Sequence, residues 1–484
     1  MDRAEAEAVY DAGRDWCVQF ILDLAAQVEQ HGDRLRRLEV QARQDSRTSS
    51  KPPSQDPPKT RQQRRAEARA KAKELLAREG GERRAGGQQG HRGAGRKLAP
   101  EDQVDEIVEH FPPACRGCGR EFSEDERRPG GRFGRHQVCE LPPISVLLVE
   151  HRTYRLRCPG CRARTTAQLP AAVAGSAFGS RLRAAIVTLT ARNRISRRGI
   201  AELAGELFGA RLSPGSVDAI CQHASTALSV PHSALRDWIL AQDALHVDET
   251  GWRTAGDSRA LWTAATEGAS MFEIAEHCNR EQFNELIGDY AGIVISDRWN
   301  GYEHLDPDRR QVCWSHIQRD FRRHSEGLAE QKTFGEQGLE LTRRVFAAWG
   351  AYQHEHHDRD QLQAEIAPIQ TELRRLLDDA SPKSKRTRWH RRFANNLLKV
   401  WPALWTFTTH PGVEPTNNPA ERALRGPVIH RKLSHGTRTD DGERFAERAL
   451  SAAATCRQQH RSLFEFLTDL LSAHARGDPL PTLT

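Results

Sequence analysis

Three carboxylates and two pairs of thiols are the residues of this 484-residue chain whose types and spacing can do chemistry. Asp248 lies in Ala244-Leu-His-Val-Asp-Glu-Thr-Gly-Trp-Arg253. There Leu245, Val247 and Trp252 predict a short strand that carries the acid to its open end and breaks at Gly251. Asp297 closes Gly292-Ile-Val-Ile-Ser-Asp297, a continuous apolar run of the buried-strand type. If the two strands are neighbours, both acids sit at one end of a central sheet within reach of shared divalent cations. Mg²⁺ is held by one or two carboxylates together with substrate phosphates. Two such ions about 4 Å apart stabilise the attacking and leaving oxygens of an in-line displacement at phosphorus. Glu421, in Thr416-Asn-Asn-Pro-Ala-Glu421-Arg-Ala-Leu-Arg425, is the candidate third ligand. Its spacing equally fits a capping box, with Asn418 as cap, Pro419 first and Glu421 third in the helix. Glu249, Asp257 and Asp289 compete as ligands, and strand alternation turns Glu249 to the face opposite Asp248.

The thiols form a second constellation. Cys115-Arg-Gly-Cys118 and Cys158-Pro-Gly-Cys161 each offer two sulfurs in a tight turn, as a tetrahedral Zn²⁺ site requires. The intervening Val138 to Leu156, rich in Val, Leu, Ile and Tyr, predicts a hairpin that brings the pairs together. Four cysteines leave no open coordination position, so this zinc is structural rather than catalytic. His136 and Cys139 lie between the pairs as alternative ligands. Ten cysteines in a chain this long point to metal binding in a reducing compartment rather than to a disulfide scaffold.

The charge is unevenly placed. The chain carries a formal +7, yet residues 61–97 hold twelve Lys or Arg against four Glu, which leaves the remainder close to neutral. A localised positive arm on a neutral body predicts a polyanionic partner, nucleic acid before membrane. No apolar stretch is long enough to cross a bilayer, and the start lacks a secretory segment, so a cytoplasmic protein is expected.

The elements that must position these groups follow from periodicity. Cys17, Ile21, Leu24, Val28, Leu35, Leu38 and Ala42 keep a heptad spacing broken only at His31, which predicts a coiled coil between subunits or a helix packed on its own body. Ser46 to Pro58, with Lys-Pro-Pro and Asp-Pro-Pro, reads as a linker. From Phe178 to Asp237 the pattern is helical. Two helices, the turn at Phe208-Gly209, and a third helix capped by Ser213, begun by Pro214 and running through Ile220 fit helix-turn-helix geometry. Ser216 lies at its groove-facing start, and Arg194, Arg197 and Arg198 precede it as candidate DNA contacts. Strands over 260–266 and 271–277, a helix over 280–290, a strand near 311–314 and a helix over 315–324 complete a sheet-bearing region. Helical spacing then continues to Trp405, interrupted by a basic run around Trp389.

Taken together, His246-Val-Asp-Glu-Thr, Ser296-Asp-Arg-Trp-Asn-Gly-Tyr302, Cys313-Trp-Ser-His316 and Thr416 to Arg425 resemble the bacterial insertion-sequence-sixty-six family of DDE transposases. Ser49-Ser-Lys-Pro-Pro53, Gly86-Gly-Gln-Gln-Gly-His91 and the cysteine pairs add to the likeness, which covers nearly the whole chain in order. The chain departs from the family pattern where Leu433-Ser434 follow Arg431-Lys432. The resemblance implies a leucine-zipper-like N-terminus, a zinc-binding domain, a ribonuclease-H-like catalytic fold with a helical insertion before its last acid, and Asp248, Asp297 and Glu421 as the metal-binding triad. Such an insertion accounts for the long separation of Asp297 from Glu421, which far exceeds the roughly 30 to 40 residues a strand, turn and helix need.

The expected architecture is therefore multidomain α+β. A coiled coil spans 1–45, a basic linker 46–100, a zinc ribbon 101–172 and a helix-turn-helix-like region 175–240. The ribonuclease-H-like α/β core occupies 241–326 and 406–450, split by an all-α insertion at 327–405, and C-terminal helices fill 451–484. The expected function is a DNA transposase that binds terminal inverted repeats and cleaves and joins DNA with Mg²⁺ or Mn²⁺. Arg422, Arg425, Arg431 and Lys432 would clamp phosphates near Glu421. Expected partners are repeat and target DNA, a second copy of the chain and accessory proteins of the same element, in the nucleoid of a bacterium. A catalytically silent DNA-binding regulator and a ribonuclease acting on RNA–DNA hybrids are the alternatives; the ribonuclease leaves the DNA-binding modules unexplained.

Overall fold

A computed structural model of the chain describes residues 9–45, 48, 98–126, 134–354, 357–384, 387 and 389–484. The basic segment 61–97, nearly all of the expected linker and residues 385, 386 and 388 of the basic run lie outside them. The chain divides into two compact units, residues 58–145 and residues 1–57 with 146–484. Among the described residues no helix is long and apolar enough to cross a membrane.

The described residues of the smaller unit include short 3-10 turns at Glu101–Gln103 and Glu124–Glu126 and a turn at the first cysteine pair. The amide of Gly119 donates to the Cys115 carbonyl at 2.9 Å, and the flanking Ala114 and Glu121 form an isolated antiparallel bridge. In the larger unit, helix α1 (Arg14–Arg43) is 30 residues long, and its Ile21, Leu24, Val28, Leu35 and Leu38 all remain exposed. The hairpin expected over Val138 to Leu156 does not form: residues 134–154 contain neither strand nor helix. Val138, Leu141, Leu147 and Leu148 are exposed, so the run has no apolar surface to bury itself against, and burial is what holds such a pattern in a sheet. The hairpin that does form is short and lies further on, β1 (Arg155–Arg157) against β2 (Arg164–Thr166), wrapped around the second cysteine pair.

After α2 (Ala171–Ala174) come α3 (Ser180–Ala191), α4 (Arg197–Phe208) and α5 (Pro214–Leu240). The local signals act as read. Ser196 and Ser213 cap α4 and α5 by accepting from Gly199 and Ser216 amides at 3.1 and 3.0 Å, and Gly209 ends α4 in the left-handed conformation. The third helix is much longer than expected, running past Ile220 to Leu240. Its apolar stripe continues through Ala224, Ala227, Leu228, Leu235 and Ile239, all fully buried, so nothing in the packing ends it early. These helices share one buried cluster with the sheet residues Leu245, Val247 and Trp262.

The sheet has five strands in the order β5-β4-β3-β6-β7. Strands β3 (Ala244–Thr254), β4 (Asp257–Ala265) and β5 (Ser270–Ala275) form an antiparallel meander. Helix α6 (Arg280–Ile287) then leads to β6 (Ile293–Ser296), parallel to β3, and β7 (Arg310–Val312), parallel to β6. α6 stops three residues before the expected Tyr290, because Gly288 takes a positive φ of 54°. β3 does not break at Gly251 either; it remains paired through Thr254 with Gly251 opposite Ala260.

Helix α7 (Trp314–Ser325) follows β7 and opens an all-helical excursion of α8 (Ala329–Gln353), α9 (Arg359–Ala380) and α10 (Arg391–Lys399), whose Leu362, Ile366, Leu373 and Leu397 share one buried cluster with Ile295 of β6 and Val312 of β7. The chain returns through α11 (Thr406–Thr409) to α12 (Asn418–Ser434), α13 (Asp440–Gln458) and α14 (Leu463–Arg476). α13 covers the edge of β5. Thr455 Oγ1, Ser451 Oγ and Glu447 Oε1 accept from the amides of Ser270, Phe272 and Ile274 at 3.1, 2.9 and 2.7 Å, which satisfies donors an open edge would leave bare.

Candidate active site

The parallel pairing of β3 with β6 sets the level of two acids. Ala244, Leu245 and His246 stand opposite Ile293, Val294 and Ile295, and each strand carries an aspartate two residues beyond its last pair. Asp248 lies on β3 and Asp297 is the first residue after β6, so the register brings both acids to the same end of the β3–β6 pair. Asp248 lies within a long strand rather than at its end. Because β6 stops at Ser296, β3 has no strand partner on its parallel side beyond that level until the bridge of Thr254 to Thr437. The Asp248 carboxyl is pushed well above the usual carboxylate range by burial and then by the negative charges of Glu249, Asp297 and Glu421, while the Glu249 amide, donating at 3.0 Å, opposes the rise.

Glu421 reaches this place through a chain of buried contacts at the start of α12. The Asn417 side chain donates to the Val247 carbonyl at 2.7 Å, and its oxygen lies 3.2 Å from His246 Nδ1. Its amide donates to Cys313 Sγ at 3.1 Å, and the Pro415 carbonyl accepts from the Trp314 amide at 2.8 Å. Asn417, fully buried, thus pins α12 to β3 one residue from Asp248. The capping box does not form: the helix begins at Asn418, its cap is Asn417 with no side-chain capping bond, and the Glu421 carboxylate points to His316 Nδ1 at 3.6 Å. Burial lowers the pKa of His316, and burial pushes the Cys313 thiol up to about 11. Nδ1 of His316 is buried without a hydrogen-bond partner.

Further residues complete the site. Glu249 belongs to its electrostatics although alternation sets it aside: burial and Asp297 push its carboxyl up to about 7, and it accepts from the Tyr302 hydroxyl at 2.6 Å. Buried Arg310 fastens the loop after β6 by donating to the carbonyls of Asp297 and Tyr302 at 2.7 and 3.1 Å. The Trp299 amide donates to Asp297 Oδ1 at 2.8 Å and fixes that side chain. Asp257 and Asp289 are exposed, and Asp257 sits at the far end of β4 from Thr263, the partner of Asp248. A charge on an apolar, β-branched background was the legible signal; a buried Arg or Asn in an ordinary loop carried none.

The basic residues divide by what already holds them. Arg194 donates to the Gly426 carbonyl of α12 at 3.3 Å, and Arg197 pairs with Asp218 at 3.3 Å over the Phe445 ring. Arg431 donates to the Gly251 carbonyl, and a Cβ on Gly251 would stand 3.3 Å from its Nη1, so this glycine serves the close approach of α12 rather than a strand break. Arg198, Arg422, Arg425 and Lys432 are exposed and Ser216 half-buried. In each cysteine turn the amides point at a sulfur. Those of Gly117 and Cys118 lower the Cys115 thiol, and those of Cys161 and Gly160 lower Cys158, which favours the thiolate a metal needs. Cys115 and Cys118 lie in the smaller unit, Cys158 and Cys161 in the larger.

Residues 175–444, more than half of the chain, match the family described as Transposase IS66 family. Residues 1–97 match a family of unknown function. No curated protein matches the chain.

Proposed function

The chain belongs to the Transposase IS66 family, and on that premise we propose that it cleaves and joins DNA at a metal site formed by Asp248, Asp297 and Glu421. The supporting observation is the parallel pairing of β3 with β6, which brings Asp248 and the loop residue Asp297 to one end of the pair, with Glu421 brought alongside by Asn417. The strand order, an antiparallel meander followed by two parallel strands, fits a ribonuclease-H-like core interrupted by α8 to α10.

The donor set fits a divalent ion. Several carboxylates crowd a desolvated spot, and burial first, then the charges of Glu249, Asp297 and Glu421, raise the Asp248 carboxyl, a cost that a cation would relieve. Mg²⁺ or Mn²⁺ bound there would lower the pKa of an attacking water and stabilise charge developing on the phosphorus oxygens. The chain itself does the positioning. Asp248 is held by the Glu249 amide and Asp297 by the Trp299 amide and the Arg310 brace, while the docking of α12 sets the backbone of Glu421, so the site is largely formed before DNA arrives. Exposed Arg422, Arg425 and Lys432 follow Glu421 on α12 and would hold the phosphates flanking the scissile bond; Arg198 with Ser216 and the basic segment 61–97 would bind the terminal repeat. Arg194, Arg197 and Arg431 brace α12 and α5 and extend this basic face with their remaining donors.

Structural Zn²⁺ at Cys115, Cys118, Cys158 and Cys161 remains part of the reading, supported by the two amide-lined turns. The exposed heptad positions of α1 support pairing of two copies of the chain in a cytoplasmic complex. Purified protein with labelled repeat DNA, Mg²⁺ and a target plasmid should yield nicked and joined products. Asp248→Asn and Glu421→Gln should lower that yield by about 10³-fold, as loss of an oriented charge-stabilising group does, while repeat binding stays intact. Full activity in either variant would sink the assignment.

A further inference from the structure

The buried flank of Glu421 carries a nitrogen with no assigned task. His316 lies on the first turn of α7, its side chain 18 % exposed, with Nδ1 3.6 Å from Glu421 Oε1. That distance is too long for a hydrogen bond. It is close to the separation of two donors on one ion, roughly 3 to 3.5 Å for bonds of about 2.1 Å. Nδ1 has no hydrogen-bond partner, a costly state for a buried polar atom unless something else completes it. Cys313 Sγ, His316 and Glu421 place their donor atoms within 4.8 Å of one another. The Cys313 sulfur, however, already accepts from the Asn417 amide at 3.1 Å and is fully enclosed, so it serves the docking of α12.

Resting on the acid site proposed above, we propose that His316 Nδ1 is a direct ligand of the ion held by Glu421, which makes one of the two metal positions a mixed nitrogen and oxygen site. Imidazole is a softer donor than carboxylate; Mg²⁺ keeps water and oxygen in preference, whereas Mn²⁺ accepts nitrogen more readily. The position beside Glu421 therefore favours Mn²⁺, and the position between Asp248 and Asp297 takes either ion. The competing account, a protonated His316 simply paired with Glu421, predicts no nitrogen on the metal.

Electron spin echo spectroscopy of Mn²⁺ bound to the full-length protein separates the two. A coordinated imidazole imposes ¹⁴N modulation on the echo. The modulation should be present in the wild type, should change to the ¹⁵N pattern when histidine alone is labelled, and should vanish in His316→Gln. Mn²⁺ affinity in that variant should fall by roughly ten-fold or more, at least what an outer-shell partner contributes, with Mg²⁺ affinity little changed. The labelling arm needs no substitution and so survives a variant that misfolds. Mn²⁺ that binds in an Asp248-dependent manner without nitrogen modulation, or with modulation that persists in His316→Gln, overturns the ligand assignment and leaves the acid site standing. No Mn²⁺ binding at all overturns both.

Discussion

The acid cluster and the cysteine turns are both rich in metal donors, yet they are held by opposite means. Asp248, Asp297 and Glu421 come from strands and a helix far apart in the chain and meet because β3, β6 and α12 are fixed by a buried core and by hydrogen bonds to enclosed backbone. Cys115 with Cys118, and Cys158 with Cys161, are held by the local geometry of their own turns, amid exposed side chains. A site made by a core is preorganised but fails when the core is disturbed. A site made by turns depends on its ligand for order and should come and go without the core noticing.

The largest expected separation is in acid. Burial depresses His232, His324 and His430 to about 4, and all three belong to the larger unit. Unfolded, they titrate near the ordinary value of 6.5. Between those values the unfolded chain binds more protons, so the stability they contribute is complete above about pH 6.5, falls as pH drops towards 4, and is flat below it. Each unit of depression corresponds to about 1.4 kcal/mol, so together they amount to several kcal/mol. Thermal melts from pH 7.5 to 4 should show the main transition falling steadily across that window, with a shallower fall in His324→Leu. A main transition independent of pH there would break the claim that these histidines are enclosed by a packed core.

Next in size is Asn417, which ties the start of α12 to the sheet. Asn417→Ala removes the donor to the buried Val247 carbonyl and leaves that oxygen unpaired, at a cost of about 2 to 3 kcal/mol. Because it also frees Glu421 from its level beside Asp248, strand transfer should fall more steeply than stability accounts for at a temperature where the variant is folded. Equal activity in folded Asn417→Ala would show that Glu421 is placed by something else.

These two effects also mark what the sequence could carry. Asp248 and Asp297 were visible because an acid at the end of an apolar strand run contradicts its surroundings, and the caps at Ser213 and Gly209 because capping is a local matter. The break at Gly251 was misread. Glycine in a strand has two uses, turning and close approach, and only the distant Arg431 decides between them. Asn417 was likewise invisible in its role: the spacing makes its neighbour Asn418 the cap, and the partners of Asn417, Val247 and His246, lie some 170 positions earlier in the chain. The hairpin over Val138 to Leu156 failed for the complementary reason, since apolar alternation describes a surface that wants covering and says nothing about whether a cover exists.

The smallest effect on the core, and the sharpest test of the contrast, comes from the thiols. Cys158→Ser with Cys161→Ser, or a chelator added to wild type, removes donors whose neighbours Arg157 and Arg164 are exposed and whose hairpin packs on no buried cluster. The main thermal transition should therefore shift by no more than the roughly 0.5 kcal/mol typical of surface changes. Amide hydrogen exchange across 155–166 should accelerate in the same samples if the proposed zinc is lost, because the turn then has only three strand pairs to keep it. If instead the main transition collapses along with the hairpin, the turn at Cys158 and Cys161 is built into the core after all.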